Sequence, residues 1–126
     1  MTRTISTDEA PEAVGAYSQA TTTGELLFTA GQIPLTPEGE LFDDEPIAVQ
    51  TEQALDNLFA IVEEAGAEPS DVLKVTVFLD DIDDFDEMNE VYSDFFDTAP
   101  PARSAVEVAA LPKGVGIEIE AIVSVE

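Results

Sequence analysis

Ile117-Glu118-Ile119-Glu120-Ala121-Ile122-Val123-Ser124-Val125 alternates, with Ile117, Ile119, Ala121, Val123 and Val125 in one phase and Glu118 and Glu120 in the other. Successive side chains of a strand point to opposite faces, so the segment reads as a strand that buries one side only. Ser104–Val108 alternates in the same way, and Val72–Leu79 is a second apolar strand, entered after Pro69-Ser70-Asp71. Between these strands the period changes. Phe85, Met88, Tyr92, Phe95 and Phe96 form a helical stripe that Asp83 can cap and that Pro100-Pro101 ends.

Further upstream, Ala54, Leu55, Leu58, Phe59, Val62 and Ala65 recur at helical spacing. Gln50, Glu52, Gln53, Asp56 and Glu63 fall largely on the other side. Asp44 is placed to cap this helix, and Gly66 to stop it. Leu26–Ala30 is a strand that halts at Gly31, and Thr4–Ser6 and Ala16–Thr21 are short strand candidates. Pro34, Pro37 and Gly39 make the intervening segment a loop with its turn at Thr36–Glu40. The order is strands, helix, strand, helix, strands. That predicts an α+β fold with two helices packed on one face of a single sheet, of ferredoxin-like flavour. With no repeat, linker or composition break, residues 1–126 are expected to form one domain. A sheet covered on one side needs something for the other, and a closed oligomer is the simple solution.

Charge narrows the function. The chain has 28 acidic residues against four cations, Arg3, Lys74, Arg103 and Lys113, for a net charge of -24. The acids are scattered, and hydrophobic content is 44%, so disorder is not implied. We read the acidity as adaptation of the whole surface to a very salty cytoplasm, where self-repulsion is screened. Nucleic acid binding is disfavoured, because four dispersed cations make no phosphate-binding stripe. With no cysteine and no histidine, a disulfide, a thiolate metal site, a cysteine nucleophile and a serine–histidine–aspartate triad are excluded. No metal site is expected. Met1–Glu12 lacks the apolar run of a signal peptide, and no stretch has the roughly 20 apolar residues of a membrane helix. A cytoplasmic protein without a membrane partner is expected.

Among so few cations, Arg103 stands out. It opens an alternating run after two prolines, and a guanidinium fixed there can grip a carboxylate through paired hydrogen bonds. Arg103, Ala105 and Glu107 share one face, and Ser104, Val106 and Val108 the other. Glu118 and Glu120 share the face opposite their strand's aliphatic residues. Arg103 could therefore meet a carboxylate within the chain or across a subunit boundary, to hold an anion and activate a water. From spacing alone a plain Arg–Glu ion pair is the better reading, with Glu107 as another partner, and parity does not separate Glu118 from Glu120.

Seven blocks in order add a resemblance that covers essentially the whole chain. They are Gly15-Ala16-Tyr17-Ser18-Gln19-Ala20, Thr29-Ala30-Gly31-Gln32-Ile33-Pro34, Gln53-Ala54-Leu55-Asp56-Asn57-Leu58, Val75-Thr76-Val77-Phe78-Leu79, Met88-Asn89-Glu90-Val91-Tyr92, Pro101-Ala102-Arg103-Ser104 and Ile117-Glu118-Ile119-Glu120-Ala121. Together they resemble the RidA group of the YjgF family, the reactive enamine/imine deaminases. The resemblance implies a chorismate-mutase-like α+β fold and a homotrimer with active sites between subunits. It also implies hydrolysis of small imino acids (2-aminoacrylate/2-iminopropanoate and 2-iminobutanoate) to 2-oxo acids and ammonia, without a cofactor.

On the same motifs, Arg103 would bind the substrate carboxylate, Glu118 would position or activate water, and Tyr17 would close over the substrate. Ala30, Gly31, Asn89 and Ala105 would line the cleft. Two positions depart from the family: Ala105 stands where a cysteine is frequent, and Ala30 where a serine is frequent. Plainer roles also exist. Tyr17 suits a sheet rim, Gly31 a turn that forbids Cβ, Asn89 a loop contact, Lys113 an exposed loop, and the Phe85/Tyr92/Phe95/Phe96 stripe the core. A non-catalytic trimer that binds carboxylate metabolites or a protein partner is the rival to an enzyme. A ribonuclease or translation inhibitor, claimed for some relatives, fits the charge poorly.

Overall fold

The computed structural model describes residues 2–96 and 98–125. Among them, six strands form one sheet in the order β1-β2-β3-β6-β4-β5. These are β1 (Arg3–Ile5), β2 (Ala20–Thr22), β3 (Leu26–Thr29), β4 (Val72–Leu79), β5 (Ala102–Glu107) and β6 (Ile117–Ser124). β4 and β5 run parallel, while the other neighbours are antiparallel. A parallel pair needs a crossover, and α2 (Phe85–Phe95) supplies it. α1 (Ile47–Glu64) links β3 to β4.

Alternation decides which face is buried. Val75, Val77 and Leu79 of β4 pair with Ala121, Ile119 and Ile117 of β6. These side chains are buried and join Leu55, Leu58 and Val62 of α1 and Met88 of α2 in one core. Burying each large aliphatic side chain contributes about 1.5–3 kcal/mol before the entropy of ordering is counted. The other face carries two apolar pairs, Phe28 (45% exposed) opposite Ile122 and Val106 (43% exposed) opposite Phe78. The α+β fold with two helices on one face is as expected, and the open face mixes these apolar side chains with Lys74, Thr76, Ser104, Glu118 and Glu120.

The local differences have physical causes. Asp44 does not cap α1; Pro46 holds the N-cap position without a side-chain hydrogen bond. The Ala48 amide instead donates to Glu87 Oε2 of α2 at 3.2 Å. Asp83 does not cap α2 either, since Asp84 is its N-cap. A short 3-10 turn, Ile82–Asp84, comes first, with Asp81 accepting from the Asp83 amide. Gln50 is buried, not on an outer face: its Oε1 accepts from the Gly116 amide at 2.8 Å, and its Nε2 donates to the Glu45 carbonyl. The candidate strand Ala16–Thr21 is mostly loop, with the strand confined to Ala20–Thr22. Gly66 does end α1. At φ +84° it takes the left-handed conformation, and the Ala67 amide reaches the Val62 carbonyl while Gly66 reaches Glu63, closing a Schellman motif.

Candidate active site

The site residues fall into two groups on opposite faces of the sheet. Arg103 lies beside Val75 of β4, so its side chain rises on the helix side. Its Nη1 donates to Asn89 Oδ1 of α2 at 2.7 Å. The guanidinium carbon lies 4.6 Å from the Tyr92 ring centroid and 5.3 Å from that of Phe85, within cation–π range. Asn89, Tyr92, Ser93, Phe96, Pro100, Pro101 and Arg103 line a pocket of about 280 Å³. Buried there, the Tyr92 hydroxyl has no hydrogen-bond partner among the described residues. Burial pushes its pKa up, and Arg103 only partly opposes this, so the phenol keeps its proton. Glu107 is not the partner of Arg103. Its carboxylate accepts from the Ile82 amide at 2.9 Å. Ala105, beside Val77, packs against the core two residues along the same face.

Glu118 lies opposite Phe78 on the open face. Local backbone geometry puts it in a cleft. β3 leaves β6 after Phe28, and the Thr29 hydroxyl takes over the Ala121 amide at 3.0 Å. Ala30 then donates to the Gln19 carbonyl, and Gln32 exchanges two hydrogen bonds with Ile119. The chain arches at Gly31, against the Glu118 side chain. A Cβ at position 31 would overlap the Glu118 carboxylate, so any other residue there would displace that side chain. Burial pushes the Glu118 carboxyl up from the usual range, and the nearby Glu120 pushes it further.

Tyr17, Ala30, Gly31 and Glu118 share a cleft of about 750 Å³ with Val14, Ile33 and Leu35. Tyr17 is 54% exposed at its edge. The loop that carries it is fastened by Gln19, which accepts from the Thr7 amide at 2.7 Å and donates to the Pro11 carbonyl at 2.8 Å.

Two groupings are thus assembled within one chain: Arg103 with Asn89, and Glu118 with Tyr17, Ala30 and Gly31. Arg103 and Glu118 are not brought together. β5 and β6 both flank β4, and the parities of positions 103 and 118 differ. Three further residues join the site: Tyr92 and Phe85, read from their spacing as core alone, and Lys113, read as an exposed loop. The helical spacing of Phe85, Asn89 and Tyr92 was the available signal for the first two.

The site's chemistry is that of a carboxylate of raised basicity in a partly apolar cleft, with an aromatic-stacked guanidinium on the far side of the sheet. The first can move protons and the second can hold an anion. The fold is that of a small single-sheet α+β class shared with solved structures. The chain belongs to the family described as Endoribonuclease L-PSP, the YjgF family, which matches residues 7–125. A RutC family protein of Pyrococcus abyssi is 54% identical, over 94% of this chain and 93% of its own. The 2-iminobutanoate/2-iminopropanoate deaminase of Escherichia coli is 49% identical, over 97% of each chain. The crystal structure of Escherichia coli TdcF with bound serine superposes with a TM-score of 0.92 at 44% identity, covering 97% of this chain and 98% of that one.

Proposed function

We propose that this protein hydrolyses small 2-imino acids, 2-iminopropanoate and 2-iminobutanoate, to 2-oxo acids and ammonia. It would act as a homotrimer whose sites join the Arg103 side of one copy to the Glu118 side of another. The observation that carries the reading is the split itself: a complete anion-and-base pair needs two copies, and the exposed Phe28 and Val106 on the open face of the sheet offer apolar contacts to join them. The similarity to the Escherichia coli deaminase supports the substrate class.

In this mechanism Arg103 holds the substrate carboxylate in a fixed orientation. A water near Glu118 gives a proton to that carboxylate as its oxygen attacks the C=N carbon, and Glu118 passes the proton to the nitrogen. Glu118 then takes the hydroxyl proton of the resulting carbinolamine and delivers it to nitrogen as the C–N bond breaks, so ammonia leaves and the 2-oxo acid remains. Imine and water become ketone and ammonia, with no redox change. A carboxyl pushed up from its ordinary range suits both roles near neutrality. Neither step calls for a cofactor. Ala105 retains main-chain groups but no thiol, and Ala30 lacks a hydroxyl, so preference among imines rests on the rest of the cleft.

The test generates 2-iminobutanoate in situ with a threonine dehydratase in high salt and follows imine decay with and without the purified protein. Acceleration supports the reading, and its absence removes the enzyme. The alternative, a trimer that binds carboxylate metabolites without turnover, is favoured by the serine in TdcF. It predicts saturable binding of 2-oxobutanoate with no effect on decay. We also propose that the scattered acids adapt the protein to salt. Equal unfolding midpoints in low and molar potassium chloride would sink that idea.

A further inference from the structure

Lys113 belongs to the Glu118 cleft, which it lines together with Tyr17 and Gly31. Its backbone is unusual. At φ +59° and ψ +17° it occupies the left-handed region, where a Cβ is strained and glycine is the favoured residue. Ala99 is the other described non-glycine residue with positive φ, and it meets that requirement with the smallest side chain available. Position 113 instead keeps one of the chain's four cations at a conformation where a side chain is a burden.

The turn is also firmly seated. Gly114 donates to the Leu111 carbonyl, Val115 is fully buried, and the Gly116 amide is held by the buried Gln50. Lys113 therefore starts from a fixed backbone and has only its own side chain to orient. The other charged residues of the cleft are Glu12 and Glu118, both anionic. Arg103 of the same chain is on the opposite face of the sheet.

We propose that Lys113 is a ligand-contacting residue of this cleft, its ammonium pairing at short range with the carboxylate of the 2-imino or 2-oxo acid. The role deepens the deaminase reading and rests on it for the choice of ligand. Backbone strain found beside a candidate site points to a role for the residue that bears it. Contact also distinguishes the proposal from general steering. Steering fades when the screening length falls to about 3 Å in molar salt, whereas a direct ammonium–carboxylate contact largely survives.

The experiment compares wild type with Lys113→Gln, Lys113→Gly and Lys113→Arg at 0.1 M and 2 M potassium chloride. Lys113→Gly removes the charge while suiting the left-handed backbone, which guards against misfolding as an explanation. Arg3→Gln changes the net charge equally at a distant strand. Two readouts are used: KM and kcat for 2-iminobutanoate decay, and Kd for 2-oxobutanoate by NMR titration. Lys113→Gln and Lys113→Gly should raise KM and Kd roughly ten-fold at both salt concentrations, as expected for one lost charge-assisted contact. In this outcome kcat stays within about two-fold, and Lys113→Arg recovers most of the affinity. Unchanged KM and Kd would overturn the role, as would a low-salt effect that Arg3→Gln reproduces. If wild type binds 2-oxobutanoate without turning over the imine, the deaminase reading fails while Kd still decides the role of Lys113. A wild type that does neither overturns both.

Discussion

Arg103 and Glu118 are fixed by different means. Arg103 is held by side chains: an amide oxygen from Asn89 and two aromatic faces, all from one helix packed on its strand. Glu118 is shaped by main chain: the arch at Gly31, pinned on either side by Ala30 and Gln32, closes against it. A cation that must remain charged tolerates rings and one neutral acceptor around it. A base that must accept a proton gains from burial beside a second carboxylate, which raises its affinity for that proton. Within one chain the sheet separates the two, so each is shaped by its own set of neighbours.

That contrast can be broken experimentally. The largest expected loss comes from Glu118→Gln, which removes the proton acceptor and should lower kcat by roughly 10²–10⁴-fold, the usual span for a general base. Full activity would return Glu118 to a structural role. Arg103→Ala, checked for an intact oligomer by light scattering, should lower kcat/KM by about 10²-fold through the lost paired hydrogen bonds.

Mixing these two inactive variants, after unfolding and refolding them together, is the sharper test of the separation. Sites shared between copies should recover to about a quarter of wild-type activity, because each half has one chance in two of being intact. Sites confined to one chain would recover nothing. Asn89→Ala leaves the guanidinium stacked but unfastened, and about a ten-fold rise in KM is expected for one lost charge-assisted hydrogen bond.

The smallest effect is a shift. Glu120→Gln removes a neighbour that raises the Glu118 carboxyl, so the pKa of Glu118 falls. The deprotonated base then persists to lower pH, and the acid limb of the kcat/KM profile moves down with its plateau nearly unchanged. An upward move would contradict the assigned electrostatics.

How legible these features were depends on how far apart their determinants lie in the chain. β4 emerges with the bounds its apolar run suggests, and β6 with the predicted parity, because alternation is a local property. Gly66 stops α1 as expected for the same reason. Gln50 looked like an outward polar residue, but its partner Gly116 is 66 positions away. The opposite faces of Arg103 and Glu118 followed only once β4 was found between β5 and β6, an ordering that no single segment encodes. Tyr92 and Phe85 carry a core pattern and also hold the guanidinium, and periodicity does not distinguish these uses. Lys113 had no local signal, since its neighbours Pro112 and Gly114 mark an ordinary turn.

The hydrogen bond from Ala48 to Glu87 bears on the order in which the chain folds. Most helical stability in a protein comes from tertiary packing, and this helix has no side-chain cap of its own. Its first turn is completed by a residue 39 positions later, on a helix that follows β4 in the chain. The amino end of α1 is therefore closed by a contact between distant parts of the chain. The exchange rate of the Ala48 amide is a built-in clock for the arrival of α2, the helix that carries Asn89 to Arg103.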